Sequence, residues 1–253
     1  MLKSINLSNE ELEKITKRKF SEGNESNTYI INVDGKNKIV KIFKKAENLP
    51  NKIKKMDLLK DRLKRCDFVI QPEVIIKNQG NPIGYIMPKV DGEKFNLLDY
   101  SKAECIQILK LLSTKLKRLH KMGIVVADFH QNFMIDEYGE IKLIDIDNFA
   151  IDDLYVDVEN IYLQKYKEKI QHFDERFDNY LLNLFTLSCL TRIYSPYLYS
   201  QFNSNPNKLY FRDDEINNII FNTFNLKKQY NEDLIVDKIT SKKDVKKIKR
   251  KLF

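Results

Sequence analysis

The chain has 253 residues, 42% of them hydrophobic and 32% charged, with a formal net charge of +8. That composition fits a soluble globular chain with length for one medium-sized unit or two small lobes around a real core. It excludes a membrane span. The longest apolar run, Tyr180 to Leu190, is broken by Asn183, Thr186 and Ser188 and is too short for a bilayer. The first residues show no signal-peptide pattern, since Asn6, Ser8, Asn9, Glu10 and Glu11 interrupt any apolar stretch. Cys66, Cys105 and Cys189 are odd in number and far apart. They suit neither a disulfide framework nor a metal knuckle, and a cytoplasmic location is the expectation.

In chain order, Lys19-Phe20, Tyr29 to Val33 and Ile39 to Phe43 read as strands. A polar turn (Ser21 to Asn27) and Asp34-Gly35 connect them. Pro50 then opens a helix with Ile53, Met56, Leu59 and Leu63 on one face. Val74 to Lys77 and Ile83 to Met87 add two strands around Asn78-Gln79-Gly80-Asn81-Pro82. The expectation for residues 1–90 is therefore a five-stranded sheet with one helix, bounded by Pro88 to Asp91. Ser101 and Glu104 form a capping box that opens a long helix. Its predicted stripe is Cys105, Ile108, Leu112, Leu116 and Leu119, and Gly123 stops it. A hairpin follows, with strands Phe133 to Ile135 and Ile141 to Ile144 about the turn Asp136 to Gly139. The remainder of 91–253 is expected to be helical or irregular.

The charge is uneven. Residues 242–251 hold seven of the 44 basic residues against one acid, Asp244, whereas Asp145 to Glu159 is acidic. The ordinary reading of the tail is a solvated terminal helix, and the alternative is docking on RNA, anionic lipid or an acidic partner. No aromatic platform is interleaved with these lysines, so nucleic acid gains no support.

The segment Leu119 to Phe149, LHKMGIVVADFHQNFMIDEYGEIKLIDIDNF, holds the densest chemistry. A hairpin between Asn132 and Asp145 brings its two ends side by side, so an amide and a carboxylate can share one metal ion. Asp128 supplies a further carboxylate to face an attacking hydroxyl, which is the set that phosphoryl transfer from a metal nucleotide requires. This block resembles the catalytic core of the protein-kinase-like superfamily, and the likeness extends over about residues 17–192.

That resemblance implies a two-lobed α+β kinase-like fold, with a small β-rich lobe (1–90), a reduced helical lobe (91–253) and ATP between them. It assigns Asp128 to the acceptor hydroxyl, Asn132 and Asp145 to Mg²⁺ or Mn²⁺, and Lys41, in Lys-Ile-Val-Lys-Ile-Phe, to the α- and β-phosphates. Ser21, Gly23 and Ser26 occupy the glycine-rich phosphate loop, with one glycine of three retained. Met87 is the gatekeeper and Val90 the adenine contact, since Pro88 has no N–H. The helix that should steady Lys41 offers no glutamate, and Asp57 or Asp61 is the stand-in. Val126-Ala127 replace the usual His-Arg, Asp128 to Asn132 is one residue shorter than usual, and His130 stands where protein kinases carry a lysine. Aminoglycoside and choline kinases commonly have histidine there, which implies a role near the γ-phosphate. Asp147 could assist the metal site or cap the next turn, and capping is the expectation. Asp178 matches the buried aspartate that anchors the catalytic loop. Ile146 to Phe177 contains no serine or threonine, so control by phosphorylation of such residues there is not expected. Only ten residues separate Val90 from Ser101, too few for substrate-binding helices. The expectation is therefore a Ser/Thr protein kinase acting on a protein substrate. A small-molecule phosphotransferase and a pseudokinase scaffold are the alternatives.

Overall fold

Residues Lys36 to Phe43 alternate side chains between two faces, and this alternation organises the first part of the protein. In the computed structural model the elements begin with β1 (Lys3–Asn6), α1 (Asn9–Thr16), β2 (Lys19–Glu22), β3 (Ser26–Val33), β4 (Lys36–Phe43) and α2 (Leu49–Arg62). They continue with β5 (Val74–Asn78), β6 (Asn81–Pro88), β7 (Gly92–Lys94), α3 (Lys102–His120), β8 (Ile124–Val125), β9 (Phe133–Asp136), β10 (Ile141–Leu143) and β11 (Ala150–Ile151). The last are α4 (Glu175–Thr191), β12 (Leu209–Tyr210), α5 (Asp214–Asn225), α6 (Ile235–Lys238) and β13 (Lys249–Arg250). The structure describes residues 2–17, 19–23, 25–45, 49–129, 132–152, 154, 174–193, 209–210, 213–225, 233–241 and 249–250. The fold class is α+β, and among the described residues no helix is long and apolar enough to cross a membrane.

Two compact units emerge, residues 1–94 with 132–154, and 95–131 with 155–253. Where the turn signals divide the chain near residue 90, the contacts divide it after Lys94 and return the 132–154 hairpin to the first unit.

In the first unit six strands, not five, form a sheet of order β1-β5-β6-β4-β3-β2. The extra strand, β1, runs parallel to β5 and has no alternating apolar pattern to betray it; all four of its residues are exposed. The second unforeseen element, α1, is a short helix opened by a Ser8/Glu11 capping box. Leu7, Leu12 and Ile15 cover one face of the sheet, over Tyr29, Val40, Ile76 and Ile86. Alternation sends Lys41 to the opposite face. Its cross-strand partner there is Tyr85. This approach of β4 and β6 requires Gly84, since a Cβ there would meet the Lys41 carbonyl oxygen at 2.0 Å.

A second, antiparallel sheet of order β10-β9-β7 carries the hairpin. Its turn is tight because the Asp136 carboxylate accepts from Tyr138 N–H (3.0 Å) and Glu140 N–H (2.8 Å). Leu143 N–H donates to Phe68 O (2.7 Å), and Leu143 O accepts from Ile70 N–H (2.9 Å), fastening β10 to the segment after α2.

In the second unit α3 begins with the Ser101/Glu104 capping box. Its buried stripe is broader than predicted, with Ile106 and Leu109 joining Cys105, Leu112, Leu116 and Leu119, while Ile108 is only half-buried. The helix α4 is buried on nearly every side from Phe177 to Leu190. Such burial demands partners for its polar groups. Asn183 accepts from Ile235 N–H (2.9 Å) and donates to Thr223, tying α4 to α5 and α6. At the far end of the chain Lys249 and Arg250 pair as a strand with Tyr210 and Leu209. That end of the basic run is thus extended, not helical as expected; residues 242–248 and 251–253 lie outside the described residues.

Candidate functional site

The inner face of the first unit's sheet is where charge concentrates. Lys41 is 6% exposed, and its Nζ donates to Asp147 (2.9 Å) and to Asp145. Asp147 is fully buried. It also accepts from the Tyr85 hydroxyl (2.8 Å) and from Lys52 on α2 (3.3 Å). One carboxylate therefore gathers a strand lysine, its cross-strand tyrosine and a helix lysine. The two ammonium groups also share the face of Phe43, at 5.4 and 5.1 Å from its centroid. Burial opposes the charge on Asp147, yet Lys41 and Lys52 hold its carboxyl well below the usual carboxylate range. Burial likewise opposes the charge on Lys41, and the two aspartates outweigh it, raising its pKa. Tyr85 is pushed up, first by burial and then by Asp147.

The hairpin delivers Asp145 to this group. Phe133 faces Leu143, and Ile144 N–H donates to Asn132 O (2.9 Å), so the chain enters and leaves the hairpin side by side. Asp145 then turns the backbone with φ 67°, a left-handed conformation that aspartate tolerates better than most residues. Burial and the charge of Asp147 push its carboxyl up to about 7, with Lys41 opposing. Asn132 and Asp145 offer an amide and a carboxylate, hard oxygen donors of the kind that suit Mg²⁺ or Mn²⁺ when phosphate and water complete the shell. Among the described residues no cluster of three or more His, Cys, Asp or Glu side chains forms a ready-made metal cage.

Asp128 belongs to the second unit, on a loop built by Asp178. The Asp178 carboxylate is fully buried and accepts from Val126 N–H (2.8 Å) and Ala127 N–H (2.7 Å), with His120 Nε2 at 2.8 Å. The loop needs this clamp, because Ala127 sits at φ 64°, where an alanine is strained by roughly 1–2 kcal/mol. Asp128 N–H then closes on Val126 O (2.8 Å). The anchoring role expected of Asp178 is what the geometry shows.

The hydrogen bonds described for Lys41 and Lys52 run to Glu25, Asp145 and Asp147 and involve none of the other predicted residues. Ser21 and Gly23 are exposed, Ser26 is buried, and Gly23 N–H closes on Ser26 O (2.8 Å). The turn is also shorter than predicted, since β2 reaches Glu22 and β3 starts at Ser26. Met87 is half-buried on β6 opposite Ile39, and Val90 is half-buried just after that strand. His130 lies outside the described residues. Neither Asp57 nor Asp61 steadies Lys41. Asp57 accepts from Leu2 N–H (2.5 Å), and Asp61 pairs with Lys64 one turn along at 3.0 Å. Nor does Asp147 cap a turn, because its oxygens are taken by Lys41, Lys52 and Tyr85. The residues that pattern reading missed are Lys52, Tyr85 and His120. Lys52 had a signal, since Leu49, Lys52, Met56, Leu59 and Leu63 recur at steps of three and four. A lysine on that stripe is turned inward, and Ile53, expected on the stripe, is half-buried.

No protein-family model matches the chain, and no curated protein matches it.

Proposed function

We propose that this protein is a metal-dependent ATP phosphotransferase of two-lobed, protein-kinase-like architecture, acting on a serine or threonine hydroxyl of a protein. The observation that carries the reading is the convergence of a buried strand lysine, Lys41, with the carboxylate Asp145 at the exit of a hairpin that begins at Asn132. In this reading Asn132 and Asp145 hold Mg²⁺ or Mn²⁺, which supplies charge neutralisation for the phosphates. Lys41 exchanges its Asp145 contact for phosphate oxygens while remaining seated on Asp147. Asp128 orients the acceptor hydroxyl and takes its proton. The Asp178 clamp preorganises the loop that carries Asp128, so little reorganisation is left for the reaction itself. The protein acceptor is argued from the ten-residue stretch between Val90 and Ser101, which leaves no room for the substrate-binding helices of small-molecule kinases.

The test is labelled ATP with Mg²⁺ or Mn²⁺, with and without a mixed protein extract, for the wild type and Asp128→Asn. The variant is expected to keep fold and ATP affinity and to lose transfer by about 10²–10⁴-fold. Label appearing only on a small alcohol would move the acceptor to that class. A wild type that binds ATP and labels nothing would leave a nucleotide-binding scaffold, the reading favoured by the Gly23 N–H being closed on Ser26 and withheld from phosphate.

A further inference from the structure

Lys52 has two anionic partners of different kinds. Asp147 is fully buried, already neutralised by Lys41 and hydrogen-bonded by the Tyr85 hydroxyl. The other is Glu25, in the turn between β2 and β3, whose carboxylate is the closer of the two contacts. The Glu25 side chain is 45% exposed and that of Lys52 7%. Their freedoms are therefore unequal. Glu25 can leave for water at little cost, as surface ion pairs generally can. Lys52 is held by α2 and by the ring of Phe43, and an ammonium group this buried needs an anion. Removing Glu25 without replacement would leave Lys52 to share the single carboxylate of Asp147 with Lys41.

We propose that Lys52 is a second phosphate-binding cation beside Lys41, and that Glu25 is an internal anion which occupies it until a polyphosphate displaces the carboxylate. This deepens the nucleotide reading above and rests on it for the identity of the polyphosphate. The exchange is like for like, since a phosphate oxygen and a carboxylate oxygen make the same charge-assisted bond to an ammonium group. The Gly23 N–H is spent on Ser26 O, so the turn contributes a gating carboxylate where a phosphate loop would contribute donors. The exchange also accounts for a lysine on the inner stripe of α2 where a steadying acid was expected. Asp147 supplies that acid from the other direction, and the helix position is left to a cation.

Calorimetric titration with MgATP and with inorganic tripolyphosphate tests this, on the wild type, Glu25→Gln and Glu22→Gln. Glu22 is the control, because it lies beside the same turn, carries the same charge and pairs with Lys19 and Lys44 instead. Glu25→Gln is expected to tighten both ligands about threefold to tenfold, and Glu22→Gln less than twofold. In a Lys52→Met background Glu25→Gln should bring no gain. Equal affinities in wild type and Glu25→Gln, with MgATP still bound, would overturn the gate and leave the nucleotide reading standing. An equal gain in Glu22→Gln would reduce the effect to general charge and also overturn it. Tripolyphosphate tightened by Glu25→Gln in a protein that ignores ATP would uphold the gate and sink the nucleotide reading.

Discussion

Each unit is organised around one fully buried aspartate, and the two are satisfied in opposite ways. Asp178 spends its oxygens on two backbone N–H groups and a histidine. Asp147 spends its own on two lysine side chains and a tyrosine hydroxyl. Backbone donors cannot leave, so Asp178 fixes a loop shape, including the strained Ala127. Lysines can redistribute among anions. The Asp147 centre is therefore a balance of charges that an incoming anion or cation can shift, while its packing stays in place. A rigid clamp under one candidate residue, Asp128, and a responsive ionic centre under another, Lys41, is a division of labour that phosphoryl transfer would use.

The sharpest way to break this comparison is to remove each carboxylate and then try to repair the damage. Asp147→Ala takes away the one carboxylate that the buried Lys41 and Lys52 share, leaving each with a single, more exposed partner (Asp145 and Glu25), and should cost about 3–5 kcal/mol in urea unfolding. Adding Lys52→Met should recover at least about 1 kcal/mol of that loss, because the stranded charge is what costs, not the missing contact. Asp178→Ala strands two backbone N–H groups and should cost about 2–4 kcal/mol. His120→Gln in the same background should recover nothing measurable, since the stranded donors are main-chain. Repair of Asp178→Ala by a side-chain change would show that its backbone bonds are not what matters.

The contrast also explains what pattern reading could see. Asp178 was placed by the resemblance, which carries a buried aspartate at the head of this apolar helix, and its partners lie only about fifty residues back, on the Val126-Ala127 backbone. The hairpin was legible because its signal is local, with Asp136 and Gly139 fixing its turn and thereby the approach of Asn132 and Asp145. The Ser101/Glu104 capping box and the stripe of α3 are likewise short-range patterns. Asp147 was misread as a cap because its partners come from residues 41, 52 and 85, and no local rule joins them. Glu25 escaped notice because the turn was read for glycines, whose loss says nothing of what a side chain there contacts. The strand β1 was missed because all four residues are exposed, which removes the alternation by which strands are recognised.

The last prediction is a pH slope, small per pH unit, and it separates the two centres without any ligand. The Asp145 carboxyl, at the edge of the ionic centre, is pushed up to about 7 from an unfolded value of 3.8. Between these two values the folded state binds the proton more tightly than the unfolded chain does. Stability must then fall as pH rises from about 4 to about 7, by no more than about 1.4 kcal/mol per pH unit, and the loss ends once the folded group has ionised. Asp147 works in the opposite sense. Its lowered pKa confers stability at all pH values above the unfolded one, so it adds no slope in this window. Unfolding midpoints of the unliganded protein should therefore decline from pH 5 to 7 in the wild type, and decline less in Asp145→Asn, which has no proton to lose there. Identical slopes in the two proteins would mean that Asp145 is already ionised at pH 5. Lys41 would then dominate its surroundings over burial and the neighbouring carboxylate, and the ionic centre would be a fixed salt-bridge lattice of the same rigid kind as the Asp178 clamp.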